Sequence, residues 1–503
     1  MARFKPYNYD QKVFLPVSLD EQLVEGTLEW AIHQVVENYL DLSVFTKKYR
    51  NDETGTPAYD PKVLLKVILF AYSRGIFTSR PIERLCRENV VFMALACGHN
   101  PDHSTIASFI SGMDREVGSI FTDILMVCQE QDLLKGTHFS LDGVKLSSNA
   151  SKHKSGTHAE LEAKRQKLEE KVREMIRDHK RKDKDDDGED KGSGSGKLEK
   201  LEKEIAKIQK FLKENKPRLG KQGTEVKSNT TDNESALMST EHGVMQGYNA
   251  QAMVDSTRQV VVHAEAYGRS QDHSNLIPMV DGSNEQLQKI SKGKETLSGK
   301  ELSADSGYHN KDALKKCEQE KIDAYIPDNK FRKRDTRFKE QKNKHKKKSD
   351  RYTQEDFTYN KETDSYTCPA GKELKLNARN QQKKERICRL YRAKERDCRG
   401  CPSRGKCLLN KKGKYRTLVI AVGRTEESTP NSRMREKIDS EIGRAKYEKR
   451  FGTVEPVFAN LRIHKRLDRF TLRGKKKVDI QWKLYCMVHN IEKILHYGKA
   501  ALC

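Results

Sequence analysis

The sequence predicts an α/β protein in which a mixed sheet is interrupted by an α-helical hairpin insert and a small Cys-rich insert, and is preceded by an all-α domain. Three observations predict it. The first 135 or so residues repeat their apolar positions with helical period. Short β-branched runs and amphipathic stretches then follow in a definite order, and two segments differ in composition from everything around them. At 503 residues the chain has ample length for a sizeable core and about two to four domains. The expected segments are 1–135, 136–158, 159–217, 218–329, 330–428 and 429–503.

The front segment shows helical periodicity over 23–40, 61–72, 82–96 and 104–134, separated by short polar connections. Thr78 and Ser79 before Arg80-Pro81, and Asp102 before Ser104, are helix-start signals because their side chains can cap free amides. The pattern is helix-turn-helix-like, with Arg74, Arg80, Arg84 and Arg87 as candidate phosphate contacts. A plain helical bundle with surface arginines is the competing reading.

The character changes at THFSLDGVKL (137–146), whose alternation predicts a strand carrying Asp142 near its end. GYNAQAMVDS (247–256) and RQVVVHAEAY (258–267) predict a hairpin. An amphipathic helix over 274–290, a strand over 300–304 ending at Asp305, and another over 322–327 follow. The order β, ββ, α, β, α, β is that of an RNase H-like sheet, in which carboxylates after the first and fourth strands lie side by side. Asp142 and Asp305 hold those places. A final helix, YEKRFGTVEPVFANLRI (447–463), offers Glu455 as a third acid.

The first insert spans 159–217. Leu198, Leu201, Ile205, Ile208 and Leu212 follow coiled-coil spacing; Leu161, Leu168, Val172 and Met175 follow it less completely because Arg165 takes a seam position. A polar, glycine-rich stretch at 180–197 is expected to form a mobile tip between the two helices. The second insert, 330–428, opens on a basic stretch (330–351) that suits either disorder or contact with a polyanion. Cys368, Cys398, Cys401 and Cys407 then have spacing suited to a tetrahedral Zn²⁺ site that staples a lobe lacking its own core. Free thiols are the alternative, and Cys388 is an unassigned fifth.

Lysine and arginine total 97 against 73 acidic residues, a net charge of +24, which favours a polyanionic partner such as nucleic acid or reflects solvated basic faces. The first 16 residues lack the apolar run of a signal peptide, and the most apolar stretch, 63–72, is interrupted by Lys66. A cytoplasmic protein with reduced thiols and no membrane segment is therefore expected.

The stretches YDPKVLLKVILFAYSRGIFTSRPIERLCREN, PDHSTIASF, FSLDGVKLSSNASK, GYNAQAMVD, ELSADSGYHN, YTCPAGKEL with CRGCPSRGKC, and RFGTVEPVFANLR through FTLRGKKKV and CMVHNIEKIL together resemble bacterial insertion-sequence transposases of the DDE class. The resemblance implies metal-dependent cleavage and strand transfer of an insertion sequence's DNA ends. Asp142, Asp305 and Glu455 would be the catalytic carboxylates, holding two Mg²⁺ or Mn²⁺ ions. It further implies a front domain that binds DNA ends or oligomerises, double-stranded terminal repeats and target DNA as partners, a homodimer in a DNA-paired complex, and a nucleoid-associated location. Tyr447, Arg450 and Arg462 match the family's tyrosine, arginine and lysine signature, with nearby Lys465 and Arg466 as further DNA contacts. Two departures stand out: Arg450 precedes Glu455 by one residue more than the usual spacing, and Arg462 replaces a lysine.

Among competing acids, Asp255 reads as a turn residue and Asp272 as the cap of the following helix, while Asp323, Glu241 and Glu265 lack the expected placement. His103 and His309 read as packing or capping residues. Two other functions remain compatible with these residues: a catalytically silent DNA-binding regulator, and a metal-dependent nuclease that does not join strands.

Overall fold

The computed structural model describes residues 18–49, 57–185, 193–220, 223–241, 243–338, 351–383, 386–408, 410, 413–424 and 429–499. The first 16 residues, most of the acidic tip at 183–190 and most of the basic stretch at 330–351 lie outside them. The chain forms two compact units: Met1–Ile326 with Glu441–Cys503, and Pro327–Ser440.

The first unit opens with α1 (Leu28–Asn38), α2 (Pro61–Ser73), α3 (Ser79–Glu88), α4 (Val90–Leu95), α5 (His103–Gly112) and α6 (Glu116–Glu130). The periodic stretches at 82–96 and 104–134 each divide into two helices. Asn89 causes the first break: its backbone is extended and its side chain accepts from the amides of Val91 and Phe92, so α3 stops where α4 is capped. Asp102 caps α5 through the amides of Ser104 and Thr105, whereas the Thr78 side chain makes no cap bond to α3. Lys66 is 1% exposed and is tolerated because Glu37 Oε1 lies 2.7 Å from its ammonium. Arg74, Arg80, Arg84 and Arg87 are exposed; Arg87 pairs with Glu83, which also holds the His103 ring.

A six-stranded sheet follows. Its strands are β1 (His138–Ser147), β2 (Ala236–Thr240), β3 (Gly243–Asp255), β4 (Val261–Tyr267), β5 (Glu301–Ala304) and β6 (Asp323–Tyr325), in the order β6-β5-β1-β3-β2, with β4 also paired to β3. Strands β1, β5 and β6 run parallel, and β3 is antiparallel to β1. The hairpin expected at 247–267 is β3 and β4, while β2 has no counterpart in the sequence reading. Between β1 and β2, α7 (His158–Asp185) packs on α8 (Ser193–Glu214) around Leu161, Ile208 and Phe211, flanked by Leu168 and Leu212. Arg165 is accommodated in this pair by hydrogen bonds to Glu162 and Glu169. Helices α9 (Leu276–Ile290) and α10 (Lys311–Gln319) complete this part of the chain.

The second unit contains α11 (Phe331–Arg334), β7 (Thr358–Asn360), β8 (Ser365–Thr367), β9 (Glu373–Lys383), β10 (Arg386–Ala393), α12 (Glu395–Arg399), α13 (Arg404–Cys407), β11 (Thr417–Arg424) and α14 (Pro430–Asp439). The five strands form an antiparallel meander in chain order. The unit extends past the expected limits of 330 and 428 because Arg334 bonds both Asp328 and Asp439, tying its two ends together. Its apolar cluster is small: Phe357, Leu374, Tyr391, Ala393 and Leu418.

The chain then returns to the first unit through α15 (Glu441–Ala459), a π-helical turn (Asn460–His464) and α16 (Lys475–Tyr497). Helix α16 is buried along most of its length. Trp482, Tyr485 and Ile491 share one core with Ile68 of α2, Ile124 of α6 and Ala252 of β3. The front helices therefore do not stand apart as a 1–135 domain; their apolar faces close on the helix that also backs the sheet. Helix α16 also covers an edge of β4, where Asn490 bonds both the N–H and the C=O of Val261, and Asp479 accepts from Ala266 N. Those backbone groups would otherwise lack partners in a buried place.

Candidate active site

The register of β1 and β5 builds the site. Leu141 pairs with Ala304, the last residue of β5, so the next residues, Asp142 and Asp305, lie side by side where the parallel ladder stops. Asp142 is thus in the middle of its strand instead of near its end, but it stands where its neighbour ends. Asp305 turns back to accept from Gly307 N at 2.7 Å. Asp142 accepts from Gly143 N at 2.8 Å and from Arg450 Nη1 of α15 at 2.6 Å.

Burial pushes the Asp142 carboxyl up to about 6, against the pull of Arg450 and the Gly143 amide, and the Asp305 charge adds to the rise. Arg450 is itself only 9% exposed along its side chain and lies over the Phe451 ring. Its Nε has no hydrogen-bond partner among the described residues.

A third aspartate enters from the other side of Asp305. Asp272 does not cap α9: its Oδ1 accepts from Asn249 Nδ2 at 2.6 Å and Gln251 Nε2 at 3.0 Å, both on β3, while the Tyr308 hydroxyl donates to Gln251 Oε1. A Cβ at Gly307 would lie 2.9 Å from Asp305 Oδ1 and 3.2 Å from Asp272 Oδ2, so glycine lets these two carboxylates face one another. Gly143 is equally constrained, since a Cβ there would collide with Gln251 Nε2 at 1.9 Å. The buried Tyr308 phenol is held well above its usual range by burial, with the charges of Asp272, Asp142 and Asp305 adding to the effect. The sequence reading missed this network. Its signal was Asn249 and Gln251, two polar residues on one face of an otherwise apolar strand.

Glu455 is not brought into this group. It is exposed on α15, whereas Arg450, Thr453, Val454 and Val457 form the buried stripe. Among the described residues no three His, Cys, Asp or Glu side chains stand close enough to hold a metal ion as they are. The helix is unusual at this point. Pro456 cannot donate to the Gly452 carbonyl, which instead accepts from Gln259 Nε2 at 2.9 Å.

The basic residues divide. Arg462 and Arg466 are exposed, and Tyr447 lies edge-on to Phe451. Lys465, expected to meet DNA, is 1% exposed; its ammonium bonds Asn460 Oδ1 at 3.0 Å and Glu492 Oε2 at 2.5 Å. The π turn, closed by Lys465 N on Asn460 O, rotates this lysine inward. His309 bonds the Ile326 carbonyl, and Asp255 accepts from Gly136 N and Thr257 N, both structural roles.

In the second unit, Cys368, Cys398, Cys401 and Cys407 all line one cavity of about 20 Å³, whereas buried Cys388 on β10 is not part of its lining.

Two family models match the chain: one described as a transposase DDE domain over residues 367–495, the other as a transposase domain (DUF772) over 17–112. Both matches support an insertion-sequence transposase of the DDE class. The first match includes the four cysteines, Glu455 and nearly all of α16; the second covers the transposase's front helices through α5. Comparison with curated proteins and with solved structures gives no match. No helix among the described residues is long and apolar enough to cross a membrane.

Proposed function

We propose that this transposase cuts the ends of its own element in double-stranded DNA and joins the freed 3′-hydroxyls to target DNA, on an RNase H-like core and as a homodimer that pairs two ends. The observation that carries the reading is the side-by-side placement of Asp142 and Asp305 at the end of a parallel ladder, with Arg450 on Asp142. Their donors are all carboxylate oxygens, the set a hard divalent cation takes, and the buried Asp142 keeps a raised affinity for positive charge beside Asp305. Mg²⁺ or Mn²⁺ would be held by Asp142 and Asp305, with exposed Glu455 proposed as the third ligand although it does not stand beside them in this structure.

Bound there, such ions would activate the attacking oxygen and stabilise the leaving one at phosphorus. The chain's own groups do the rest. Arg450, anchored on Asp142, holds a fixed positive charge beside the carboxylates. Asn249, Gln251 and Tyr308 hold Asp272 toward Asp305. Exposed Arg462 and Arg466, together with the exposed arginines Arg74, Arg80 and Arg84 of the front helices, supply backbone contacts that position DNA without reading its sequence.

Asp272 is a second candidate for the third acid, favoured by its approach to Asp305 across Gly307. The test is cleavage and joining of a labelled duplex bearing the element's end, with Mg²⁺ or Mn²⁺. Asp142→Asn, Asp305→Asn and Glu455→Gln are each expected to bind DNA and neither nick nor join. Full activity in Glu455→Gln with loss in Asp272→Asn would transfer the third role to Asp272. Cleavage without joining by the parent protein would make it a nuclease, and inactivity with either metal would leave a DNA-binding regulator.

A further inference from the structure

We infer that Cys368, Cys398, Cys401 and Cys407 bind a single Zn²⁺ ion as thiolates, and that this ion is the main staple of the second unit. The inference is independent of the strand-transfer reading.

Four residues separated by up to 39 positions line one cavity, and they reach it from three different local structures. Cys368 sits in a tight turn after β8. Its N–H donates to Lys372 O, Gly371 N donates to its carbonyl, and its sulfur accepts from Lys372 N at 3.3 Å. Gly371 has φ +73, the conformation such a turn needs. Cys398 lies on α12, Cys401 follows it, and Cys407 ends α13. Amide donation to sulfur stabilises a thiolate, and the CxxC pair places two sulfurs on one side of the ion.

The surroundings suit a charged cluster. Four thiolates around Zn²⁺ carry a net charge of −2, and Lys372, Arg404 and Arg416 line the same cavity. Both arginines are fixed by the chain bearing the ligands: Arg404 Nη1 donates to Cys398 O and Arg416 Nη1 to Cys407 O, each at 2.8 Å. Binding releases the four thiol protons to solvent and draws the side chains inward from the cavity wall. A cavity of about 20 Å³ has room for one ion.

The unit also needs such a staple. Five buried residues make up its apolar cluster, with Cys368, Cys398 and Cys407 packed against them. A core that small does not offset the ordering of the lobe around it, and small lobes of this kind are held by metals or disulfides. No disulfide joins the ten described cysteines.

The test is metal analysis of the full chain purified under reducing conditions without added metal. Close to one equivalent of zinc is expected, lost in the double variant Cys398→Ser/Cys401→Ser and kept in Cys388→Ala. Replacement by Co²⁺ should give the visible absorption of tetrahedral thiolate coordination. Should the double variant fail to fold, thiol titration of the parent protein decides instead: four thiols should resist modification until a chelator is added, whereas exposed Cys97 reacts at once. Zinc-free protein whose four thiols react as fast as Cys97, or iron in place of zinc, overturns the proposal.

Discussion

The carboxylate site of the first unit and the thiol site of the second both crowd ligands of one charge, but the two regions support them differently. Asp142 and Asp305 sit at the end of a sheet backed by a large apolar core, and Arg450 supplies a fixed cation. The four thiols sit on a cluster of five buried residues, with nearby arginines tied to backbone carbonyls. The first arrangement is already rigid before any ion arrives. The second depends on its ion for rigidity. Loss of metal should therefore cost the first site its chemistry and the second its structure.

The sharpest way to break this contrast is Asp305→Asn. Joining activity should fall on the order of 10³-fold or more, while the unfolding midpoint holds or rises slightly because repulsion with Asp142 is relieved. A large loss of stability would show that the carboxylates hold the fold. The core that makes rigidity affordable can be probed at Asn490→Leu, which leaves both backbone groups of Val261 without their side-chain partners. Denaturant unfolding should show a loss of about 2–4 kcal/mol, at roughly 1–3 kcal/mol for each orphaned group with partial relaxation.

A smaller effect comes from pH. His489 is a buried residue of α16, with its ring bonded to Asn460 and the Gln259 carbonyl, and burial depresses its pKa from 6.5 to about 3. The unfolded chain takes up a proton that the folded chain refuses. The stability from this group is complete above 6.5 and is lost as pH falls from there toward 3, by about 1.4 kcal/mol per unit. His489→Gln should flatten that slope in thermal melts between pH 6.5 and 4.5. The smallest change is expected for Lys465→Met: the salt dependence of DNA affinity should stay as in the parent, because that ammonium faces Glu492, whereas Arg462→Ala should lower the slope by about 0.9. Equal slopes for the two variants would return Lys465 to the DNA surface.

What was legible in the sequence followed from local pattern. Alternation located β1 and β5, and strand order then placed Asp142 beside Asp305. Helix-start chemistry located Asp102 as a cap, but the same logic misread Asp272, because an aspartate ahead of a helix looks alike whether it caps or reaches across to another strand. The inward turn of Lys465 was hidden because an i to i−5 hydrogen bond shifts every later side chain around the helix axis. The exposure of Glu455 was hidden too, since periodicity places a residue on a face without saying what that face meets. Nor could the shared core of the first unit be read, because it joins residues some four hundred positions apart.

That shared core ties the fate of the beginning of the chain to its end. Helices α1 to α6 leave the ribosome before α16, which begins more than three hundred residues after α6 ends, so they wait as an incomplete surface until it is made. A chain stopped before α16 would leave the apolar faces of α1 to α6 uncovered.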